Sequence, residues 1–142
     1  MDRKSKAVEK FLQGTACSQA ILSEYGTLFG LSSEAAMKIA AGFAGGMRRA
    51  NVCGAITGAY MTLGLKYSAQ NCEESVGRKD VYKAIAEFNQ EFEKIHGTVS
   101  CKELLGCDIS TPEGMKTAIE SNLFKTICPK FLGDAADLLE RI

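Results

Sequence analysis

The sequence carries no net charge and has little of several residue types. It has 17 basic and 17 acidic residues, no tryptophan, two prolines and one histidine. A balanced charge supplies no long-range field for nucleic acid or an anionic membrane, so neither is an expected partner. The lone histidine, His96, is expected at a helix end, as a cap or a solvated residue rather than a ligand.

Long apolar runs are also missing. The longest uncharged stretch runs from Ala50 to Leu65. A membrane span needs about 20 apolar residues, so no span is expected. The segment from Met1 to Lys6 is charged and has no apolar h-region, so a signal peptide is not expected and a cytoplasmic location is. Thiols stay reduced in that compartment, and six cysteines there favour metal or redox chemistry over static disulfides.

Closely spaced cysteine pairs are absent as well. The six cysteines are Cys17, Cys53, Cys72, Cys101, Cys107 and Cys128. None forms a CxxC pair, which excludes a thioredoxin-type redox pair and a zinc ribbon, and without CxxCH no covalent haem is expected. Any cysteine site must therefore be assembled by the fold from distant segments.

Apolar residues recur at helical spacing, which predicts one all-α domain over residues 1–142, a compact bundle of five to eight helices. The first helix is expected to bury Val8, Phe11 and Leu12. The second is expected to bury Ala20, Ile21, Leu28 and Phe29. The helix from Val52 to Leu65 is expected to be the most buried. The predicted helices cover about 17–29, 32–43, 53–67, 81–95 and 101–106, a segment from 112, and 123–142 with breaks near Pro129 and Gly133.

Glycines inside the helix at 53–67 predict close packing. Gly54 and Gly58 lie one turn apart, beside Ala55 and Ala59. A glycine inside a helix costs about 1 kcal/mol relative to alanine. We therefore expect Gly54 and Gly58 to admit another backbone or a ligand at short range.

Three cysteines coincide with predicted helix starts: Cys17, Cys53 and Cys101. The N-terminus of a helix favours negative charge and lowers the pKa of a thiol placed there. Arg48 and Arg49 precede Cys53, which is therefore expected to have a lowered pKa and to be the most reactive thiol. The pattern assigns no role to Cys72 or Cys107.

The arrangement of these cysteines resembles a known family. The phrase from Cys17 to Ala20 is similar to its first cysteine with the following Gln-Ala, and Cys53–Gly58 fits its CGAxxG motif. Cys101 and Cys128 resemble its third and fourth cysteines. The chain thus resembles the redox-active protein family with the C…CGAxxG…C…C cysteine pattern. The resemblance implies a small, mostly helical protein with thiol redox or metal chemistry.

Three functions stay open at this point. In the first, Cys17, Cys53, Cys101 and Cys128 form a catalytic thiol–disulfide site that serves a redox partner or a small molecule, as a thiol–disulfide oxidoreductase would. In the second, the same four cysteines bind a metal ion or an iron–sulfur cluster. In the third, the glycine stripe supports a homodimer in a helical interaction module, and the thiols are incidental.

Overall fold

The computed structural model describes residues 1–142 and is built from helices. The helices are α1 (Arg3–Leu12), α2 (Cys17–Tyr25), α3 (Ser33–Ala40), α4 (Gly54–Tyr67), α5 (Lys79–His96), α6 (Cys101–Leu105), α7 (Pro112–Glu120), α8 (Leu123–Thr126) and α9 (Cys128–Arg141). The all-α prediction is confirmed, and seven of these helices have eight residues or more. None of the helices combines the length and the apolar character that crossing a lipid bilayer would require.

The main core lies where α2 and α4 pack against each other, with α1, α5 and α9 around them. Helix α9 contacts α1, α4 and α5, so the last helix of the chain closes the core. The largest fully buried side chains here are Ile21, Ile56, Leu63, Phe88, Phe92, Leu132 and Leu138. A second, smaller apolar cluster joins α6, α7 and the loops beside them.

Side-chain caps begin α3 and α6 close to the helix starts that the sequence predicted. The hydroxyl oxygen of Ser32 accepts from the Ala35 N–H at 3.1 Å, and that of Ser100 accepts from the Glu103 N–H at 3.3 Å. These bonds satisfy N–H groups that have no partner within the helix. The predicted starts of α3 and α6 are thereby confirmed.

Burial departs from the sequence-based expectation in two places. Seven of the nine residues of α2 are buried, against eight of the fourteen in α4, so α4 is not the most buried helix. The reason is that α2 is covered by α1, α3 and α4 together. Leu28 and Phe29 are 54% and 38% exposed because α2 ends at Tyr25 and a 3-10 turn follows, and Leu12 is 47% exposed.

The chain between α3 and α4 makes a left-handed turn. Helix α3 ends at Ala40, three residues before its predicted end, and a 3-10 turn follows. Positive φ angles of 55–65° then occur at Gly45, Gly46, Met47, Arg48 and Ala50. A residue with a side chain costs roughly 1–2 kcal/mol in this conformation, so the turn is strained at three positions.

The C-terminal segment corrects one predicted break. Helix α8 ends at Thr126 and α9 starts at Cys128, with Pro129 in its first turn, so the break near Pro129 is confirmed. Gly133, by contrast, lies inside α9. A Cβ atom there would lie 3.2 Å from the Lys4 side chain, so this glycine lets α1 approach α9 instead of ending the helix.

Candidate functional site

The four cysteines of the motif line one cavity. Cys17, Cys101 and Cys128 are the first residues of α2, α6 and α9, and Cys53 is the N-cap of α4. The sequence predicted three of these helix starts and missed the one at Cys128. The cavity has a volume of about 170 Å³, and all four residues are in its wall. The fold therefore brings together residues from four separate segments.

A short backbone pairing places Cys53 beside Cys101. Val52 and Ser100 form an isolated antiparallel bridge. The Cys53 N–H donates to the Val99 carbonyl at 2.9 Å, and the Cys101 N–H donates to the Asn51 carbonyl at 2.6 Å. These two bonds hold the chain at Cys53 beside Cys101, the first residue of α6, and both residues line the cavity.

Two polar residues fix the start of α2 and thereby Cys17. The Ser18 hydroxyl donates to the Ala40 carbonyl at 2.7 Å. The Gln19 side chain accepts from the Ala16 N–H at 3.1 Å and donates to the Met37 carbonyl at 2.9 Å. These bonds attach the start of α2 to α3. Reasoning from the residues missed both roles, although a glutamine three residues after the N-cap of a helix is a known capping signal.

The two glycines of α4 lie against α2. A Cβ atom on Gly54 would stand 2.3 Å from the Cys17 Sγ atom, which is too close for any side chain. A Cβ atom on Gly58 would stand 3.0 Å from the Ser18 carbonyl oxygen and 3.0 Å from the Ile21 Cβ atom. Glycine at these positions therefore lets the CGAxxG segment contact the first turn of α2 directly.

The rest of the cavity wall is apolar, with one charged residue. Its large side chains are Phe11, Leu105, Ile109, Met115 and Phe124. No acidic residue and no histidine lines it, and Arg48 is its single charged group. The Arg48 guanidinium lies 2.9 Å from the position of a Cβ on Gly45, so it covers this glycine. The left-handed turn thus places one positively charged side chain, that of Arg48, in the wall of an apolar cavity lined by thiols.

Comparison with known families identifies the pattern. Residues 15–142 match the family described as Putative redox-active protein (C_GCAxxG_C_C). The chain belongs to this family. The family name gives the motif as GCAxxG, with the glycine before the cysteine. In this chain the order is reversed, because Cys53 precedes Gly54. No curated protein and no solved structure matches the chain. Membership in the redox-active family supports a redox role in general.

Burial sets the protonation of the four family cysteines. It raises the pKa of Cys101 to about 11 and that of Cys128 to about 12, and the nearby Cys17 sulfur adds to both shifts. Burial also raises the pKa of Cys53 well above its ordinary value, with Cys17 again the next cause. The expectation of a lowered pKa at Cys53 is therefore wrong, because desolvation of its sulfur outweighs the effect of the helix start.

Cys17 differs from the other three in its hydrogen-bond donors. Burial raises the pKa of its thiol, but the backbone N–H groups of Gly45, Ser18 and Gly54 face the sulfur and lower it. After burial, the nearby Cys17 sulfur is the next cause of the raised pKa of Cys53, Cys101 and Cys128. The Cys17 sulfur therefore lies close to the other three.

The remaining cysteines lie outside the cavity wall. Cys107 is close enough to raise the pKa of Cys101 and Cys128, after burial and Cys17. Cys72 is exposed and borders a different, apolar groove beside Leu31 and Met61. All six cysteines are free thiols. No sequence pattern pointed to the position of Cys107, which packs against the smaller apolar cluster that contains Cys101, Leu105 and Ile109.

The side chains that could donate to a metal ion are not placed in a way that fits a metal centre. No group of three or more histidine, cysteine or acidic side chains has an arrangement that could hold a metal ion. Four thiolates around a divalent ion would leave two negative charges in an apolar cavity whose one charged group is Arg48. The chemistry of the wall therefore favours neutral thiols.

Proposed function

We propose that the protein is a dithiol redox protein, whose Cys17, Cys53, Cys101 and Cys128 pass between thiol and disulfide forms. One observation carries this proposal: four helix starts place these four sulfurs in the wall of a single cavity. Exchange requires a sulfur that becomes a thiolate and a second sulfur within reach. A cytoplasmic location, where small thiols keep proteins reduced, suits such a cycle.

Cys17 is the attacking sulfur in this proposal. Its Sγ atom faces three backbone N–H groups, which stabilise the thiolate at the moment of attack. Cys53, the sulfur that the sequence favoured for this step, has no comparable set of donors and is strongly desolvated. The Cys17 sulfur is oxidised by the substrate, and a second cysteine then attacks the oxidised Cys17 sulfur to close an internal disulfide.

Cys53 is the best placed second cysteine. Gly54, its neighbour, lies directly against the Cys17 sulfur. A disulfide requires Cα atoms roughly 4.4–6.8 Å apart, and the contact of Gly54 with the Cys17 sulfur places the adjacent residue Cys53 next to Cys17. We therefore assign the first disulfide to Cys17 and Cys53, and a second pair to Cys101 and Cys128.

Peptide mapping tests the pairing directly, because each of the six cysteines falls in a separate tryptic peptide. Reduced protein is treated with one equivalent of diamide, blocked with N-ethylmaleimide and digested without reductant. We expect the peptide of residues 11–38, with Cys17, to be linked to that of residues 50–66, with Cys53. The peptide of residues 67–78, with Cys72, should be alkylated.

Two variants and one elemental measurement complete the test. Cys72→Ser should preserve the Cys17–Cys53 link, and Cys17→Ser should abolish it. The proposal is wrong if the Cys17 and Cys53 peptides remain alkylated while Cys72 is oxidised into intermolecular dimers. Stoichiometric zinc or iron in anaerobically purified protein would instead support the metal-binding function.

A further inference from the structure

The thiol cavity is too small for most disulfide substrates. Its volume of about 170 Å³ is close to that of an engineered apolar cavity, about 150 Å³, which binds benzene. A ligand of roughly six to nine heavy atoms therefore fills it. Cys101, in its wall, is buried, and Cys17, Cys53 and Cys128 are half-buried. A compact oxidant therefore fits among these thiols better than a protein or peptide disulfide does.

The residues of the cavity wall also favour an oxidant that has an apolar group and an oxygen able to gain negative charge. Phe11, Leu105 and Phe124 offer apolar contact to an alkyl group, and the burial of each CH₂ of that group favours binding. Arg48 forms none of the salt bridges in the structure, so its charge is available to a ligand. It covers Gly45, whose N–H faces the Cys17 sulfur. An oxygen that gains negative charge beside Cys17 would be stabilised there.

From these features we propose that the cavity reduces small organic hydroperoxides, with Cys17 as the sulfur that attacks the peroxide. The proposal rests on the dithiol function above and adds its substrate class. An alkyl hydroperoxide combines the required properties: a compact apolar body for the cavity wall, and an oxygen–oxygen bond that yields an alkoxide when it breaks. Hydrogen peroxide has the reactive bond but not the apolar body.

The reaction balances without any other reagent. The Cys17 thiolate attacks the terminal peroxide oxygen; an S–O bond forms, the O–O bond breaks, and the alkoxide takes up the proton that the Cys17 thiol released. The products are an alcohol and a sulfenic acid on Cys17. The Cys53 sulfur then attacks the Cys17 sulfur, and hydroxide leaves with the Cys53 proton as water. One hydroperoxide and two thiols thus give one alcohol, one water and one disulfide. An external dithiol would return the protein to its reduced form.

A single-turnover comparison of two peroxides tests the substrate class. Reduced protein is mixed with tert-butyl hydroperoxide or with hydrogen peroxide, and the Cys17–Cys53 peptide link is quantified over time. Cys72, which is exposed outside the cavity, is followed in the same samples as an internal reference. We expect the rate ratio of tert-butyl hydroperoxide to hydrogen peroxide to be at least about tenfold higher at Cys17 than at Cys72. One equivalent of tert-butanol should appear per disulfide.

Variants separate the two steps of the reaction. Cys53→Ser should stop after the first step and leave a sulfenic acid on Cys17 that dimedone labels. Arg48→Met should lower the rate with tert-butyl hydroperoxide and leave the diamide-driven Cys17–Cys53 link intact. Equal peroxide ratios at Cys17 and Cys72 would overturn the substrate class. If diamide still forms the Cys17–Cys53 link in that case, the proposed dithiol function is retained. If neither diamide nor a peroxide forms this link, the proposed dithiol function is wrong as well.

Discussion

Gly54 lies directly against the Cys17 sulfur, so a substitution at this residue tests the packing of the site. The Cβ atom of Gly54→Ala would lie 2.3 Å from Cys17 Sγ and 3.2 Å from the Ala44 Cα atom. One of these neighbours must move, and overpacking of this kind costs about 1–3 kcal/mol. We expect urea denaturation to show that loss of stability, together with a changed rate of Cys17 alkylation.

Gly64 supplies the matched control because it lies in the same helix with no atom within 4 Å of an added Cβ. Gly64→Ala should raise stability by up to about 1 kcal/mol, since alanine is the better helix former. Gly58→Leu should destabilise by about 1–3 kcal/mol or more against Ser18 and Ile21. Equal stabilities of the two alanine variants would contradict the close contact at Gly54.

Cys101 makes the stability of the protein depend on pH. Burial raises the pKa of its thiol to about 11, whereas the unfolded value is about 8.5. The folded state therefore keeps its proton to higher pH, and stability falls as pH rises from about 8.5 toward about 11. The slope contributed by this one thiol is about 1.4 kcal/mol per pH unit.

Denaturation curves of the parent and of Cys101→Ala between about pH 8 and about pH 10 measure that slope. The variant should lose stability less steeply with pH than the parent, whatever its stability at neutral pH. Cys72→Ala, which removes an exposed thiol, should retain the parental slope. Identical slopes for the parent and Cys101→Ala would show that the Cys101 thiol ionises as it does in the unfolded chain.

Among the elements, the left-handed turn at residues 45–50 allows a direct measurement of backbone strain. Met47 has φ of 61°, while Met37 lies inside α3, and both side chains are half-buried. Glycine relieves strain at positive φ, worth roughly 1–2 kcal/mol, but costs about 1 kcal/mol inside a helix. We expect Met47→Gly to be less destabilising than Met37→Gly by about 2 kcal/mol in urea denaturation. A larger loss at Met47 would mean that its side-chain contacts outweigh the strain.

Sequence reasoning succeeded for the elements whose signals are local. Caps at Ser32 and Ser100 follow from hydrogen bonds over three residues, and the structure contains both. The left-handed turn could not be predicted, because Met47 and Arg48 have no local preference for positive φ. The contacts of the folded chain impose that conformation on them. Gly133 shows the same limit, since its reason for being glycine is α1, more than a hundred residues away in the sequence.

For the whole molecule, oxidation should increase stability. A Cys17–Cys53 disulfide would close the loop that contains α2 and α3, and the chain-entropy model gives about 3–4 kcal/mol for a loop of this length. We expect diamide-treated protein to melt at a higher temperature than reduced protein and to return to the lower value with dithiothreitol. Cys17→Ser should show no such shift. A lower melting temperature on oxidation would indicate a strained or different disulfide.

The cysteines of the site could be predicted from the sequence, but the surroundings of their sulfur atoms could not. The family resemblance and the helix starts pointed to Cys17, Cys53, Cys101 and Cys128, which line one cavity. The bridge between Val52 and Ser100 joins segments that are far apart in the chain, so no local sequence pattern predicts it. Desolvation depends on everything that surrounds a sulfur, which is why the order of thiol reactivity required the folded structure.

The distribution of the cysteines also bears on how the protein is made. Cys17 leaves the ribosome more than a hundred residues before Cys128, and α9, which closes the core, follows the eight other helices. Until that helix docks, the early thiols lie in water and are open to wrong pairings. A nascent or truncated chain therefore has reactive cysteines without the cavity that governs them. The proposed redox cycle therefore requires the cavity that the docking of α9 completes.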